Sequence, residues 1–150
     1  MLGSKEDVLS RYVKASRFID ADCIIRCTGD NPFVFTDALD SIVQEALLLQ
    51  SDYASYSGLP YGVGVEVIKA QALYRADAEA QSPYEREHVC PYLYAHGELF
   101  LLHRPLAPLP LRSPALRLTV DTREDYERAL TLYASGTTGE SVRIWLLPAV

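Results

Sequence analysis

The sequence predicts an α/β domain with a mostly parallel sheet, because short apolar runs of strand length alternate with segments of helical periodicity. Residues 104–114 hold four prolines and form a predicted loop, and this loop and an extra pair of predicted strands leave room for an antiparallel element. Hydrophobic residues make up 49% of the chain and charged residues 23%, which is ordinary for one globular domain of 150 residues.

Apolar periodicity and boundary residues predict five helices. Ser4 resembles the N-cap of the first helix. Pro83 fits the first turn of the fourth helix, and Gly97 lies just past its end. Either Asp121 or Thr122 caps the last helix. The predicted helices cover residues 5–19, 36–50, 70–80, 83–96 and 122–134.

Five predicted strands alternate with these helices, over residues 23–27, 52–56, 63–68, 98–103 and 116–120. Gly62 and Gly64 flank the start of the third strand, where the missing side chains let the backbone approach something closely. Residues 142–150 are apolar without a clear period, and we expect them to dock on the sheet or fill a partner's groove.

Charge and hydropathy exclude several functional classes. The net charge is −6 with no run of Lys or Arg, which argues against a partner nucleic acid. No apolar stretch approaches the roughly 20 residues that span a bilayer, so we expect no membrane association and a cytoplasmic protein. Cys23, Cys27 and Cys90 do not have zinc-site spacing, and we expect them to be small buried hydrophobes.

Asp30 lies in a tight Gly-Asp-Asn-Pro turn directly after the first predicted strand. Ligands of open α/β sheets bind at this edge, and a carboxylate there can hold a metal ion against a phosphate. Asp121 follows the predicted strand over residues 116–120, so both carboxylates project from one edge if the two strands are close. The alternative is that Asp30 only serves a turn and Asp121 only caps a helix.

Five motifs then occur in order along the chain. They are Gly-Ser-Lys-Glu-Asp-Val-Leu-Ser-Arg-Tyr (residues 3–12), Arg-Cys-Thr-Gly-Asp-Asn-Pro (26–32), Gly-Val-Gly-Val-Glu-Val (62–67), Arg-Glu-His-Val-Cys-Pro-Tyr (86–92) and Leu-Thr-Val-Asp-Thr-Arg-Glu-Asp-Tyr (118–126). The series resembles the cytidylyltransferase family, in particular the branch of spore coat polysaccharide biosynthesis protein F. It is more distantly similar to the enzymes that make CMP-sialic acid and CMP-Kdo.

The resemblance implies a three-layer, Rossmann-like nucleotidyltransferase fold. It also implies Mg²⁺-dependent transfer of a cytidylyl group from CTP to a sugar, in surface polysaccharide or nucleotide-sugar synthesis. The implied metal ligands map to Asp30 and Asp121, and the implied partners are CTP and a sugar acceptor.

The chain begins at a motif that lies well inside the family domain, after the loop that wraps the triphosphate. We therefore expect an N-terminally truncated domain over residues 1–150, equivalent to the C-terminal two-thirds of the family domain. Gly64 stands where this branch commonly has an acid. An alternative function is a catalytically inactive remnant that acts only as a folded, dimerising domain. The missing strands would expose a sheet edge, which favours a homodimer.

Four further residues are candidates for the site. Arg26, with Asp30, is assigned to catalysis through a phosphate or sugar contact, and the alternative for Arg26 is an ion pair with an acid such as Glu66. Glu66, Arg86 and His88 are assigned to substrate binding. The alternatives are an exposed strand carboxylate for Glu66 and a capping, pairing or subunit-contact role for His88.

Overall fold

The computed structural model describes residues 3–134, so the predicted role of residues 142–150 lies outside the described residues. The contacts of the chain divide it into two compact units. Unit 1 comprises Met1–Arg26, Glu45–Ala54 and Glu66–His103, and unit 2 comprises Cys27–Gln44, Ser55–Val65 and Arg104–Val150. Each unit is described below by itself.

The helices largely follow the predicted boundaries. They are α1 Val8–Phe18, α2 Thr36–Leu49, α3 Ala70–Glu79, α4 Pro83–His88, α5 Pro91–Ala95 and α6 Arg123–Ala134, with a 3₁₀ turn at Leu109–Leu111. The predicted cap of α1 is wrong, because the carboxylate of Asp7, and not Ser4, accepts a hydrogen bond from the backbone N–H of Ser10. None of the helices among residues 3–134 is both long enough and apolar enough to span a bilayer.

The helix predicted over residues 83–96 is two helices, α4 and α5, separated by a γ-turn. Val89 has φ 74° and ψ −57°, and the N–H of Cys90 donates to the carbonyl of His88 at 2.9 Å. This conformation is rare for a β-branched residue. Pro91 has no N–H to continue α4, but it suits the first turn of α5.

Unit 1 contains a four-stranded sheet in the order β1-β3-β2-β4. Its strands are β1 Cys23–Arg26, β2 Tyr53–Ala54, β3 Glu66–Lys69 and β4 Leu102–His103. β3 is antiparallel to β1 and β2, and β2 is parallel to β4, so the expectation of a mostly parallel sheet is corrected to a mixed one. The segment between β2 and β3 contains no helix, and a parallel neighbour would need a longer crossover.

Two predicted strands have a different structure because their backbone groups bond to several partners. Val63 is fully buried, but its carbonyl accepts from the N–H of Phe35 at 3.1 Å, so the β3 ladder begins only at Glu66. Residues 116–120 form an extended segment with one bridge to Tyr61, and the N–H of Val120 turns instead to another loop. A ladder needs one continuous partner strand, which these segments lack.

Each unit has its own apolar core. In unit 1, α1 packs against α3 and α4, and α5 packs against α3 and α4. Its fully buried side chains include Leu9, Ile68, Leu73, Val89 and Leu93. The core of unit 2 consists of Phe35, Ala38, Val63, Leu111 and Leu118.

Candidate functional site

The turn that carries Asp30 lies in unit 2 and is held by its neighbours. Asn31 donates from its backbone N–H to the carbonyl of Thr28 at 3.1 Å and from Nδ2 to Thr28 Oγ1 at 2.8 Å. The Asp30 side chain is exposed, and among the described residues its carboxylate has no hydrogen bond or ion pair. The turn therefore does not need this carboxylate.

The structure brings Asp121 next to Asp30. The backbone N–H of Val120 donates to the carbonyl of Asp30 at 2.8 Å. The buried hydroxyl of Thr119 lies 3.3 Å from that carbonyl oxygen and 3.2 Å from Oδ2 of Asp121. The two acids predicted as a pair are thus neighbours, joined through the extended segment before α6, and their shared role stays a prediction.

Asp121 does not cap α6, because Thr122 and Asp125 do. Thr122 Oγ1 accepts from the N–H of Asp125 at 3.2 Å, and Oδ2 of Asp125 accepts from the N–H of Thr122 at 3.0 Å and of Asp121 at 3.1 Å. This is a reciprocal capping box. The hydrogen bond from the Asp121 N–H, with those from Thr122, holds the pKa of Asp125 below its usual value. Sequence reasoning missed Asp125, although the Thr-x-x-Asp pattern could have identified it.

The Asp121 side chain points elsewhere. Its Oδ2 accepts a short hydrogen bond from Arg117, in addition to the contact with Thr119. The side chains of Arg117 and Asp121 are both about half exposed, at 45% and 47%. The carboxylate is therefore paired, but it remains accessible from solvent.

Gly62 allows the backbone of unit 2 to close tightly beside this pair. Its φ is +94°, and a Cβ built on it would lie 2.6 Å from the backbone nitrogen of Thr119. This confirms the predicted close approach at Gly62. Gly64 shows no such approach, since its added Cβ would meet only a side-chain carbon of Leu59 at 3.4 Å.

The donor set fits a magnesium ion that is shared with a phosphate ligand. No group of three or more His, Cys, Asp or Glu side chains that could hold a metal occurs within residues 3–134. Mg²⁺ is commonly held by one or two carboxylates, with substrate phosphates and water completing its shell. Asp30 and Asp121 would supply two oxygen ligands of this kind, whereas a fully protein-enclosed site would need more.

A cleft opens beside the pair. It has a volume of about 380 Å³, and its lining includes Gly29, Phe33 and Val120 together with Tyr126 and Tyr133 of α6. Gly29 and Val120 directly precede the two acids in the sequence. The cleft therefore provides an apolar, aromatic surface large enough for a ring of a small ligand.

Arg26 and Glu66 lie in unit 1, opposite each other in the β1–β3 register. Arg26 Nη1 donates to Glu66 Oε2 at 2.5 Å, and Tyr53 donates its hydroxyl to Glu66 Oε1 at 2.9 Å. Burial acts to lower the pKa of Arg26, but the Glu66 carboxylate outweighs it and the pKa is raised. The pairing alternative is what the structure shows, and a substrate contact of either residue stays a prediction.

The three cysteines differ in their exposure to solvent. Cys90 is 1% exposed, and burial, with the neighbouring Glu66 carboxylate, raises the pKa of its thiol well above the usual value. Cys23 is half-buried. Cys27 is exposed, so the expectation that all three are buried is wrong for this residue, which lies just beyond the end of β1.

Arg86 is an internal clamp of unit 1. Its Nε and Nη2 donate to the two carboxylate oxygens of Asp7 at 3.0 and 2.8 Å. Nη2 and Nη1 also donate to Oδ1 and the carbonyl of Asp77, each at 2.7 Å. These bonds tie the start of α1 and the end of α3 to α4. A contact of Arg86 with substrate stays a prediction.

We expect Arg86→Met to destabilise the protein by about 2 kcal/mol at pH 7, less than for a fully buried pair because the side chains remain partly exposed. Hydrogen bonds from Arg86 hold the pKa of Asp7 below its ordinary value. The stabilisation is therefore present above about pH 4 and is lost as the pH falls through the lowered pKa. Urea unfolding across this pH range measures the effect.

The matched control is Arg75→Met, which breaks an exposed ion pair with Glu79 within α3. It should cost less than about 0.5 kcal/mol. An equal loss for the two variants, or a difference from the wild type that does not shrink below about pH 4, would contradict the role of the clamp.

His88, at the end of α4, is exposed, and its ring lies 4.5 Å from that of Tyr84. No metal-binding group includes it among the described residues. Its predicted contact with a sugar acceptor is compatible with this exposure and stays a prediction.

Comparisons with known proteins place the chain among related sequences and structures. A family model described as cytidylyltransferase matches residues 2–144. Spore coat polysaccharide biosynthesis protein SpsF of Bacillus subtilis is 39% identical over 132 residues, which are 87% of this chain and 55% of that protein. Uncharacterized protein MJ1063 of Methanocaldococcus jannaschii is 38% identical over 130 residues, 87% of this chain and 54% of that protein.

A solved structure shows the same fold. The cytidylyltransferase from Leptospira borgpetersenii serovar Hardjo-bovis superimposes with a TM-score of 0.85 at 29% identity, over 96% of this chain and 62% of that one. The likeness confirms the α/β, Rossmann-like nucleotidyltransferase fold that the sequence resemblance implies. The chain spans about half the length of the two sequence relatives it matches.

Proposed function

This chain belongs to the cytidylyltransferase family, and from that membership we propose that it serves the transfer of a cytidylyl group from CTP to a sugar. The observation that carries the proposal is the pair of neighbouring acids in unit 2. Asp30 presents an exposed carboxylate that the turn does not use, and Asp121 lies directly beside it without capping α6.

The proposed reaction is an in-line displacement at phosphorus. A sugar hydroxyl attacks the α-phosphorus of CTP and passes its proton to solvent, while the bond between that phosphorus and the bridging oxygen breaks and pyrophosphate leaves. Bound Mg²⁺ would neutralise the charge that develops on the phosphate oxygens. Asp30 and Asp121 would hold this ion, and the tyrosine-lined cleft would position a ring of the substrate.

Arg26, Arg86 and His88 of unit 1 have separate roles in the proposed reaction. Arg26, the last residue of β1, is held by Glu66, whose other carboxylate oxygen accepts a hydrogen bond from the Tyr53 hydroxyl. We propose that Arg26 faces a phosphate or sugar group through the donors that Glu66 does not use. In the same proposal, Arg86 acts through the α4 backbone that it clamps, and His88 contacts the acceptor directly from its exposed position.

The biological setting of the proposal comes from the relatives. SpsF of Bacillus subtilis is named for spore coat polysaccharide biosynthesis. Synthesis of an activated sugar for a surface polysaccharide is therefore the proposed role of the reaction. A cytoplasmic location belongs to the same proposal and fits three free cysteines.

We also propose that the chain associates as a homodimer. Exposed apolar side chains in unit 1 support this, including Phe18 at 80%, Ile19 at 70% and Leu48 at 83% exposure. β1 is an edge strand of the described sheet and carries the exposed Ile25. Light scattering should give twice the chain mass of 16.7 kDa, and a monomeric mass at all concentrations would contradict the homodimer.

The proposed function is tested by titrating the protein with CTP in the presence and absence of Mg²⁺ by calorimetry. We expect saturable binding that requires Mg²⁺. Absence of binding at millimolar CTP would overturn the proposal for these 150 residues. That result would favour the second candidate function, a folded, dimerising domain that does not turn over CTP.

A further inference from the structure

Arg117 is paired with the carboxylate of Asp121. Its Nη2 donates to Oδ2 of Asp121, and its Nε lies 3.7 Å from Oδ1 of Asp125. Its guanidinium carbon lies 5.0 Å from the ring centroid of Tyr61, a cation–π distance. Thr119 also approaches Oδ2 of Asp121 at 3.2 Å. The carboxylate of Asp30 is open, whereas that of Asp121 is occupied.

Arg117 can move away from Asp121 without leaving a buried carboxylate unpaired. Asp125 is 5% exposed, but it would keep its ion pair with Arg128 and the hydrogen bonds from the N–H groups of Asp121 and Thr122. Asp121 itself is about half exposed, so it would be solvated during an exchange of partners. Losing a partner costs most when the remaining charge is buried and unpaired, and neither acid meets that condition.

We propose that Arg117 is a positioning residue that pairs with Asp121 until a divalent cation takes its place, and then binds the phosphate oxygens of the nucleotide. The inference rests on the proposed function, because it requires Asp121 to be a metal ligand. A guanidinium on Asp121 repels an incoming dication, so the two compete for one carboxylate. A released guanidinium has a planar array of donors that matches phosphate, so it suits the ligand that arrives with the metal.

The first test measures binding of Mg²⁺ alone to the wild type, Arg117→Met and Arg128→Met by calorimetry, with Mn²⁺ as a spectroscopic substitute. Arg128→Met is the matched control, because Arg128 has similar exposure, 48% against 45%, and pairs with Asp125 but not with Asp121. We expect Arg117→Met to bind the cation about tenfold more tightly than the wild type. Arg128→Met should stay within about twofold.

The second test measures the affinity of the same variants for inorganic pyrophosphate in the presence of saturating Mg²⁺. Here the order should reverse, with Arg117→Met binding pyrophosphate about tenfold more weakly and Arg117→Lys recovering part of the loss. A merely structural role would weaken both ligands, so opposite changes in metal and pyrophosphate affinity are the specific signature of the exchange.

The outcomes separate this inference from the proposed function. Suppose that Asp30→Asn abolishes Mg²⁺ binding but Arg117→Met and Arg128→Met bind Mg²⁺ equally. The proposal that Asp30 and Asp121 hold the metal is then supported, and the role of Arg117 is overturned. If neither the wild type nor Arg117→Met binds a cation, Asp30 and Asp121 do not form a metal site, and the inference about Arg117 is overturned as well. Arg117→Gln replaces Arg117→Met should the latter not fold, as judged by its thermal unfolding.

Discussion

Replacement of Asp30 by Asn should lower the affinity for CTP in the presence of Mg²⁺ by about a hundredfold, which corresponds to about 3 kcal/mol. The amide cannot supply the charged oxygen ligand that the ion requires. The backbone carbonyl of residue 30 would still accept the hydrogen bond from Val120, so the local structure should persist. Calorimetric titration measures the affinity, and thermal unfolding should show stability within about 0.5 kcal/mol of the wild type.

Asp40→Asn is the control for this change. Asp40 is an exposed acid of unit 2 on α2, so its replacement alters the net charge equally without touching the pair. It should leave the affinity for CTP unchanged. Equal losses for the two variants would mean that general charge, and not ligation at Asp30, controls binding of the nucleotide.

Gly62→Ala should destabilise the protein by about 4 kcal/mol, through the strain of a positive φ and the overlap with packed backbone. The added Cβ would lie 2.6 Å from the nitrogen and 2.8 Å from the Cα of Thr119, neither of which is the end of a flexible side chain. This is a large share of the roughly 5–15 kcal/mol that stabilises a typical domain. Denaturant unfolding monitored by circular dichroism measures the loss.

Gly64→Ala provides the comparison, because its new Cβ would only touch a side-chain carbon of Leu59 at 3.4 Å. We expect a change within about 1 kcal/mol. Gly62→Ala should also weaken CTP binding with Mg²⁺, since Thr119 contacts both Asp30 and Asp121. Similar stability for the two alanine variants would contradict the close approach at Gly62.

Local signals in the sequence predicted the helices well. The start of α2 and α3 follows from residues within one or two helical turns, and Pro83 lies at the first turn of α4 as expected. The γ-turn at Val89 was not predictable from periodicity, because the apolar pattern continues through it. The Pro at position 91 is the one local signal that could have indicated the break.

Strand pairing depends on distant residues, and this is where the sequence prediction failed. Nothing local to residues 66–69 specifies that β3 lies between β1 and β2. Side-chain pairing between distant residues is equally hard to predict, since Arg86 bonds to Asp7 across 79 positions in the sequence. Gly62 was recognisable as a site of close approach, but its partner Thr119 was not.

Asp30 and Asp121 are neighbours in the structure, but the backbone arrangement that brings them together differs from the predicted one. The sequence places Asp30 and Asp121 after two predicted strands, and it puts both carboxylates at one sheet edge only if those strands are close in a parallel sheet. The structure instead joins them through an extended segment whose N–H at Val120 bonds to the carbonyl of Asp30. Proximity therefore survives although the predicted strand over residues 116–120 does not, because one backbone hydrogen bond and the hydroxyl of Thr119 suffice to hold the two residues together.

A double-mutant cycle on Asp30 and Asp121 tests most directly whether they hold one ion together. The measurement is the affinity for CTP with Mg²⁺ in the wild type, Asp30→Asn, Asp121→Asn and the double variant. If both residues ligate the same ion, the double variant should lose little more than either single variant, because the first replacement already removes the site. Losses that simply add, or an affinity that neither replacement changes, would contradict a shared metal site.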